Sequence, residues 1–253
     1  NILNAIFIVV ASIMAAVLLY SGFSIPQLFL ITGMLNALVA LYIYTLVPEF
    51  LMRFIVWILI HSIYKLEKQG LHNIPEQGAA VLVCNHVSFV DALVIAAACP
   101  RPIRFVMDYR IYRLPVLNFV FRIGRAIPVA SAKEDPEMLE RAYAEIASAL
   151  REGDLIAIFP EGRITDNGEM NPFRPGIRRI VEATPVPVIP IALRGLWGSF
   201  FSRKGGAAMS KFSRIPRRIF CRIELAAAAP VAPAQAMPEF LHEKVLALRG
   251  SWK

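Results

Sequence analysis

The first 48 residues contain no Asp, Glu, Lys or Arg, and the first charge is Glu49. Few folds accept such a stretch. Two apolar runs fill it, Ile2 to Tyr20 and Ile25 to Val47. Each supplies the ~20 residues needed to cross a hydrocarbon core of ~30 Å. Ser21-Gly22-Phe23-Ser24 between them is a polar turn, and Pro26 sits near the second helix start. Residues 1–48 are therefore expected to form a transmembrane helical hairpin. A helical hairpin buried in a soluble protein is the alternative, and the missing charge argues against it. The first run lacks the basic n-region and small-residue cleavage site of a signal peptide. The chain begins with Asn1, which suggests a piece of a longer one.

Arg53, Lys65 and Lys68 follow the second run, whereas the 21–24 turn carries no charge. The positive-inside rule then puts the remainder in the cytoplasm, on an inner or plasma membrane. Phe50 to Tyr64 is a third apolar stretch, interrupted by Arg53 and His61. It is short for a span. Residues 49–70 read as an interfacial helix and linker, with Trp57 near headgroup level.

From residue 71 to 253 the rhythm is that of one α/β domain. Strands are expected at Ala79–Cys84, Ile103–Met107, Ala126–Val129, Leu155–Phe159 and Val186–Leu193, with an edge strand at Ile219–Leu225. Helices are expected at Phe89–Ala98, Leu114–Arg122, Pro136–Glu152, Pro175–Ala183 and Pro238–Leu248. Asp135 caps the third of these and Pro136 takes its first position. Alternating strands and helices predict a mostly parallel sheet flanked by helices. Ala226–Ala236, AAAAPVAPAQA, reads as a surface linker.

Three cysteines, Cys84, Cys99 and Cys221, are too few to staple 253 residues. The net charge of +8 beside apolar helices favours anionic membrane lipids as partner. No zinc spacing, helix-turn-helix or RNP-like pattern points to nucleic acid, and none is expected. Residues 183–223 hold eight basic residues and no acidic one: Arg194, Arg203, Lys204, Lys211, Arg214, Arg217, Arg218 and Arg222. Trp197, Phe200 and Phe201 lie among them, which suits a membrane interface; a solvated basic loop is the plainer reading.

Two blocks carry chemistry. Asn85-His86-Val87-Ser88-Phe89-Val90-Asp91 leaves a predicted strand and opens a helix. In open α/β sheets, sites form at the carboxyl ends of strands. Across that turn Asp91 reaches back to one imidazole nitrogen of His86 and leaves the other to accept a proton. Ser88 lacks the GxSxG setting of a nucleophile. A histidine capping a helix is the alternative. Phe159-Pro160-Glu161-Gly162-Arg163-Ile164-Thr165 leaves a second strand. Gly162 permits close backbone approach, and Arg163 offers a bidentate grip on phosphate. Glu161 either positions Arg163 or meets a glycerol hydroxyl.

NHVSFVD, then FPEGRIT, then Val186-Pro187-Val188-Ile189-Pro190 resembles the glycerophospholipid acyltransferase family over roughly residues 65–225. The FPEGRIT form looks most like the acyltransferase domain of 2-acylglycerophosphoethanolamine acyltransferases. The usual form is FPEGTRS; Arg163 stands where it has Thr, and Ile164 where it has Arg. The family's second block commonly ends in an Arg after a G-x-x-x-[IP]-[VI] strand. Here the stretch is Gly124-Arg125-Ala126-Ile127-Pro128-Val129-Ala130-Ser131, and Arg125 or Lys133 is left to supply that charge. The apolar hairpin looks like the last two helices of a major-facilitator lipid transporter fused to this domain.

The resemblance implies a glycerolipid acyltransferase-like fold and a membrane-bound O-acyltransferase. His86 and Asp91 are its catalytic pair. Asn85, Ser88, Glu161, Gly162, Arg163, Thr165, Arg125 and Pro187 are its expected substrate-binding residues. The acceptor is a lysophospholipid or lysophosphatidic acid. The acyl thioester donor is acyl-CoA or acyl-acyl-carrier protein, the latter making acyl carrier protein a partner. No bound cofactor and no metal is expected. Tyr112, Leu114, Val116, Leu117 and Phe121 either wall an acyl-chain tunnel or pack as core. The rival reading is the end of a lipid transporter whose α/β domain binds lipid without turnover. A lipid hydrolase is a third, disfavoured because GxSxG is absent.

Overall fold

In the computed structural model the chain is described for residues 2–46, 48–115, 117–204, 206 and 220–252, with side chains from Ala5 onward. Two compact units divide after Leu51. The first contains helices α1 (Ile2–Tyr20) and α2 (Ile25–Leu46). Gly22 makes the turn between them at a φ of 88°. Ser24 closes it, its N–H and hydroxyl both donating to Gln27 Oε1 at 2.8 and 3.0 Å. This is half of a capping box. No residue of α2 is buried, and its mean hydropathy over an 18-residue window is 1.8. Among the described residues it is the one helix long and apolar enough to cross a membrane; Ala5–Tyr20 is shorter.

The second unit is built on a seven-stranded sheet, preceded by α3 (Pro48–Ile63). The strands are β1 (Tyr64–Gln69), β2 (Ala80–Cys84), β3 (Ile103–Asp108), β4 (Ile127–Val129), β5 (Leu155–Ile158), β6 (Val188–Arg194) and β7 (Cys221–Ala227). Their spatial order is β1-β7-β6-β2-β5-β3-β4. Every pairing is parallel except β6 with β7, so the sheet is mixed. Helices α4 (Asp91–Ala98), α5 (Tyr109–Tyr112), α6 (Leu117–Ile123), α7 (Pro136–Arg151), α8 (Gly176–Ala183) and α9 (Pro238–Arg249) complete it.

Strand side chains alternate between faces. Leu82, Cys84, Ile189 and Ile191 pack with α4 and with Ile60 of α3 on one face. Val81, Val83, Ile156 and Ile158 pack with α7, α8 and α9 on the other. All five residues of β2 are buried, as a strand covered on both faces requires. Asp135 caps α7 as expected, accepting from Met138 N at 2.8 Å.

Three expectations change. Tyr64–Gln69, read within a linker, is the edge strand β1, parallel to β7. Its Lys65, Glu67 and Lys68 hide it from a hydrophobic pattern, and charges are what exposed edges carry. Because β1 takes the edge, β7 lies inside the sheet. The alanine-rich stretch is no free linker either. Ala226 and Ala227 belong to β7, and Val231 exchanges backbone hydrogen bonds with Val188 at 2.8 and 3.0 Å.

Candidate active site

Strands β2 and β5 are adjacent, parallel and in register, Ala80 with Leu155 and Val83 with Ile158. Both sequence blocks therefore leave the sheet at the same end. Extending that register puts His86 opposite Glu161. The two turns are joined there: His86 N donates to Glu161 Oε1 at 2.7 Å, and Thr165 N to the His86 carbonyl at 3.0 Å.

The first turn is organised around Asp91, whose side chain is fully buried. His86 Nδ1 lies 2.8 Å from Asp91 Oδ2. The same oxygen accepts from Val87 N at 2.6 Å and Ser88 N at 2.9 Å. Ser88 Oγ donates to Oδ1 at 2.6 Å. Four donors thus compensate the desolvation of one carboxylate. An acceptor on Nδ1 fixes the imidazole tautomer with its proton there, so the Nε2 lone pair is available. The His86 side chain is 22% exposed, enough for a substrate to reach that nitrogen. Phe159 stacks on the ring at 4.2 Å between centroids and holds its plane.

The second turn is organised around Glu161. Its Oε2 accepts from Asn171 N at 2.7 Å and Asn171 Nδ2 at 2.9 Å. Burial pushes the Glu161 carboxyl above its ordinary range; the N–H bonds from Asn171 and His86 pull the other way. Asn171 Oδ1 accepts from Arg163 Nε and Nη2 at 3.1 and 2.8 Å. Arg163 is exposed. Gly162 has a φ of 67°, and a Cβ there would fall 2.6 Å from the guanidinium carbon of Arg174. The positive φ favours glycine, whereas the guanidinium is the far end of a flexible side chain that could shift. Arg174 N donates to the Pro160 carbonyl at 2.9 Å, while its side chain faces no carboxylate among the described residues.

The expected residues thus separate. His86, Asp91, Glu161, Gly162 and Arg163 come together. Asn85, Ser88 and Thr165 adjoin them, but their side chains are already engaged. Asn85 Nδ2 donates to the Leu193 carbonyl at 3.0 Å and its Oδ1 accepts from Leu193 N at 2.8 Å, tying β2 to β6. Ser88 serves Asp91. Thr165 Oγ1 closes a local turn with Asn167 and Gly168. Arg125 and Pro187 are placed apart from them. Arg125 precedes β4 and pairs with Glu152 and Asp154 just before β5, while Pro187 precedes β6. Both lie towards the other end of the parallel strands, Pro187 about 20 Å away along β6 at ~3.3 Å per residue. Lys133 follows β4, at the His86 end, and is exposed. Ile164, where the common form has Arg, is buried.

Arg174, Asn171 and Phe159 were missed as functional residues. The one sequence signal for Arg174 is the Asn171-Pro172-Phe173-Arg174-Pro175-Gly176 run before α8. Cys84 adjoins the site but is buried, and burial followed by the charges of Asp91 and Glu161 raises its thiol well above the usual range. It is a core residue and no nucleophile.

The described arginines of the basic stretch are paired internally. Arg194 meets Glu224 at 3.2 Å, Arg203 meets Asp166 at 3.0 Å, and Arg222 meets Glu67 at 2.6 Å. Trp197 lies against Gly168 and, like Phe201, packs on the core. Lys211, Arg214, Arg217 and Arg218 lie outside the described residues.

A profile of the Acyltransferase family matches residues 65–194, a range that includes both turns. The chain belongs to the Acyltransferase family. Among similar curated proteins is the chloroplastic 1-acyl-sn-glycerol-3-phosphate acyltransferase BAT2 of Brassica napus. It is 29% identical over 137 residues, which are 54% of this chain and 39% of the relative. The Arabidopsis thaliana enzyme LPAT1 is 27% identical over 54% of this chain and 38% of its own. This chain thus spans well under half the length of those relatives. The crystal structure of the 1-acyl-sn-glycerophosphate (LPA) acyltransferase PlsC from Thermotoga maritima shares the fold. Its TM-score is 0.56, with 23% identity, 73% of this chain and 68% of that one covered. In this acyltransferase-family domain the fold sets both turns at one end of the sheet.

Proposed function

We propose that the chain transfers a fatty acyl group from an acyl thioester to the free glycerol hydroxyl of a lysophospholipid or lysophosphatidic acid. The carrying observation is the His86–Asp91 pair, with Nδ1 held and Nε2 open at the end of β2. Nε2 takes the proton of the acceptor hydroxyl as its oxygen attacks the thioester carbonyl. The C–O bond forms, the C–S bond breaks, and the imidazolium returns its proton to the leaving thiolate. Asp91 stabilises the imidazolium between those events. The donor is acyl-CoA or acyl-acyl-carrier protein.

Arg163 and Arg174 flank Gly162 and grip the acceptor phosphate from two sides of the turn. Arg174 takes the place of the guanidinium that Ile164 lacks. The FPEGRIT form supports an ethanolamine-bearing acceptor, and the apolar α1 and α2 support a fused transporter origin. The hairpin anchors the protein in the membrane, with α3 lying in the interface and the acyltransferase domain on the cytoplasmic side.

The test is the purified chain in detergent with labelled acyl-CoA and acyl-acyl-carrier protein and a panel of lysophospholipids. Diacyl product is expected, fastest with lysophosphatidylethanolamine. Lipid binding without thioester consumption would instead favour a non-catalytic module, and free fatty acid released without an acceptor would favour a hydrolase.

A further inference from the structure

Between β3 and β4 the described residues do not pack as core: none of Tyr112, Leu114, Leu117 and Phe121 is buried. Leu114 and Leu117 are exposed, and Phe119 is 70% exposed; Val116 lies outside the described residues. Tyr112 and Phe121, half-buried, stack with ring centroids 6.3 Å apart. A soluble surface rarely displays so many large apolar side chains in one short stretch.

Several guanidiniums elsewhere on the domain face carboxylates, as Arg104 faces Glu145, Arg125 Glu152 and Arg179 Glu140. Arg113 and Arg122 face none among the described residues; Arg113 lies over the Tyr109 ring at 5.3 Å. Both line an open cavity of about 760 Å³ with Pro115, Asn118, Phe119 and Ile123. Apolar side chains beside unneutralised arginines complement an anionic lipid surface: the former enter the acyl boundary while the latter meet phosphates.

Neighbouring elements extend the same surface. The Met52 methyl of α3 comes within 3.3 Å of the place a Cβ would take at Gly124, just past α6. Within the second unit, α3 packs Val56, Ile60 and Ile63 on the core. It exposes Phe54, Ile55, Ile58 and Leu59, one stripe at helical spacing. α5 starts where β3 ends, and β3 parallels β5. It begins at the same end of the sheet as His86, about two strand spacings, ~10 Å, from the strand that delivers it.

We propose that the outer face of α5–α6, with Leu114, Leu117 and Phe119 beside Arg113 and Arg122, docks on an anionic bilayer. Docking brings the His86 end of the sheet to the lipid surface, so that an acceptor reaches the site without leaving the interface.

The full chain in lipid nanodiscs tests this with an environment-sensitive fluorophore on Phe119→Cys, compared with Ala144→Cys on α7, across the sheet. Cys221→Ser is made in both. Cys84 and Cys99 are buried, and burial pushes the Cys99 thiol up to about 12, so neither competes for label at neutral pH. In phosphatidylglycerol-containing discs the label at 119 should shift to the blue and lose roughly half its fluorescence to brominated acyl chains. The label at 144 should do neither. Arg113→Glu with Arg122→Glu should return the 119 signal towards its level in phosphatidylcholine discs, with an unchanged melting curve. Equal signals at 119 and 144 in anionic discs would overturn the proposal. So would a signal at 119 that follows protein concentration in detergent, the mark of a second copy on this face.

Discussion

The two turns at the end of the sheet are built in opposite ways. The turn after β2 is self-contained: Asp91 collects His86 Nδ1, two backbone N–H groups and the Ser88 hydroxyl, all within five residues. The turn after β5 is assembled from a distance. Glu161 is held by Asn171, and the Arg174 guanidinium lies beside Gly162, ten and twelve residues further on. The loop between is itself anchored from α9, where Arg249 donates to the Gly168 carbonyl at 3.0 Å. A turn closed by its own residues fixes a proton acceptor; a turn closed by remote residues is suited to holding an anion, because its guanidiniums come from separate strands of the loop.

Damage to the first turn should be the more severe. Asp91→Asn keeps the shape but puts an amide where donors converge. Turnover should fall on the order of 10³-fold, with about 2 kcal/mol of stability lost. Steady-state assay beside a denaturant melt measures both. A fall in stability with turnover intact would break the contrast.

The second turn should respond in binding. Arg174→Ala should raise the acceptor KM roughly 10- to 100-fold, the size of one charged hydrogen bond. The donor KM should stay constant, as should the KM for an acylglycerol without phosphate. An equal effect on phosphorylated and phosphate-free acceptors would remove Arg174 from the grip.

Asn85→Ala tests the boundary of the first turn. Leu193 N–H and C=O would lose their partners in the core, at a cost of about 2 kcal/mol. The fraction that stays folded should retain most of its activity, because Asn85 holds strands and not substrate.

The smallest effect concerns pH. Burial raises the carboxyl of Glu161 above the ordinary 4.5, so the native state holds this proton to higher pH than the unfolded chain. Its contribution is most favourable below about 4.5 and is lost as pH rises through the raised value. Glu161→Gln should flatten that part of the stability profile. Melting curves across acidic pH, wild type against variant, would show the same slope in both if Glu161 were not the source.

This contrast also explains what the sequence made legible. H-x4-D after a valine-rich strand is local, and so are its hydrogen bonds; the His86–Asp91 pair could be read from spacing. The buried strands β2, β5 and β6 were legible because burial on both faces leaves near-continuous apolar runs. Strand β1 was not, since an edge tolerates Lys65, Glu67 and Lys68. Arg125 and Pro187 were drawn in by closeness to family blocks, yet each precedes its strand and so falls at the wrong end of the sheet. Arg174 was invisible for the converse reason: nothing in a linear reading joins it to Gly162 until the loop folds back.

The most direct test is the rate of acyl transfer by His86→Ala at saturating donor and lysophospholipid, with melting and lipid binding measured on the same preparation. The account predicts a loss of roughly 10³- to 10⁴-fold, with both other properties near wild type. A folded, lipid-binding His86→Ala protein that transfers acyl groups at the wild-type rate would contradict it.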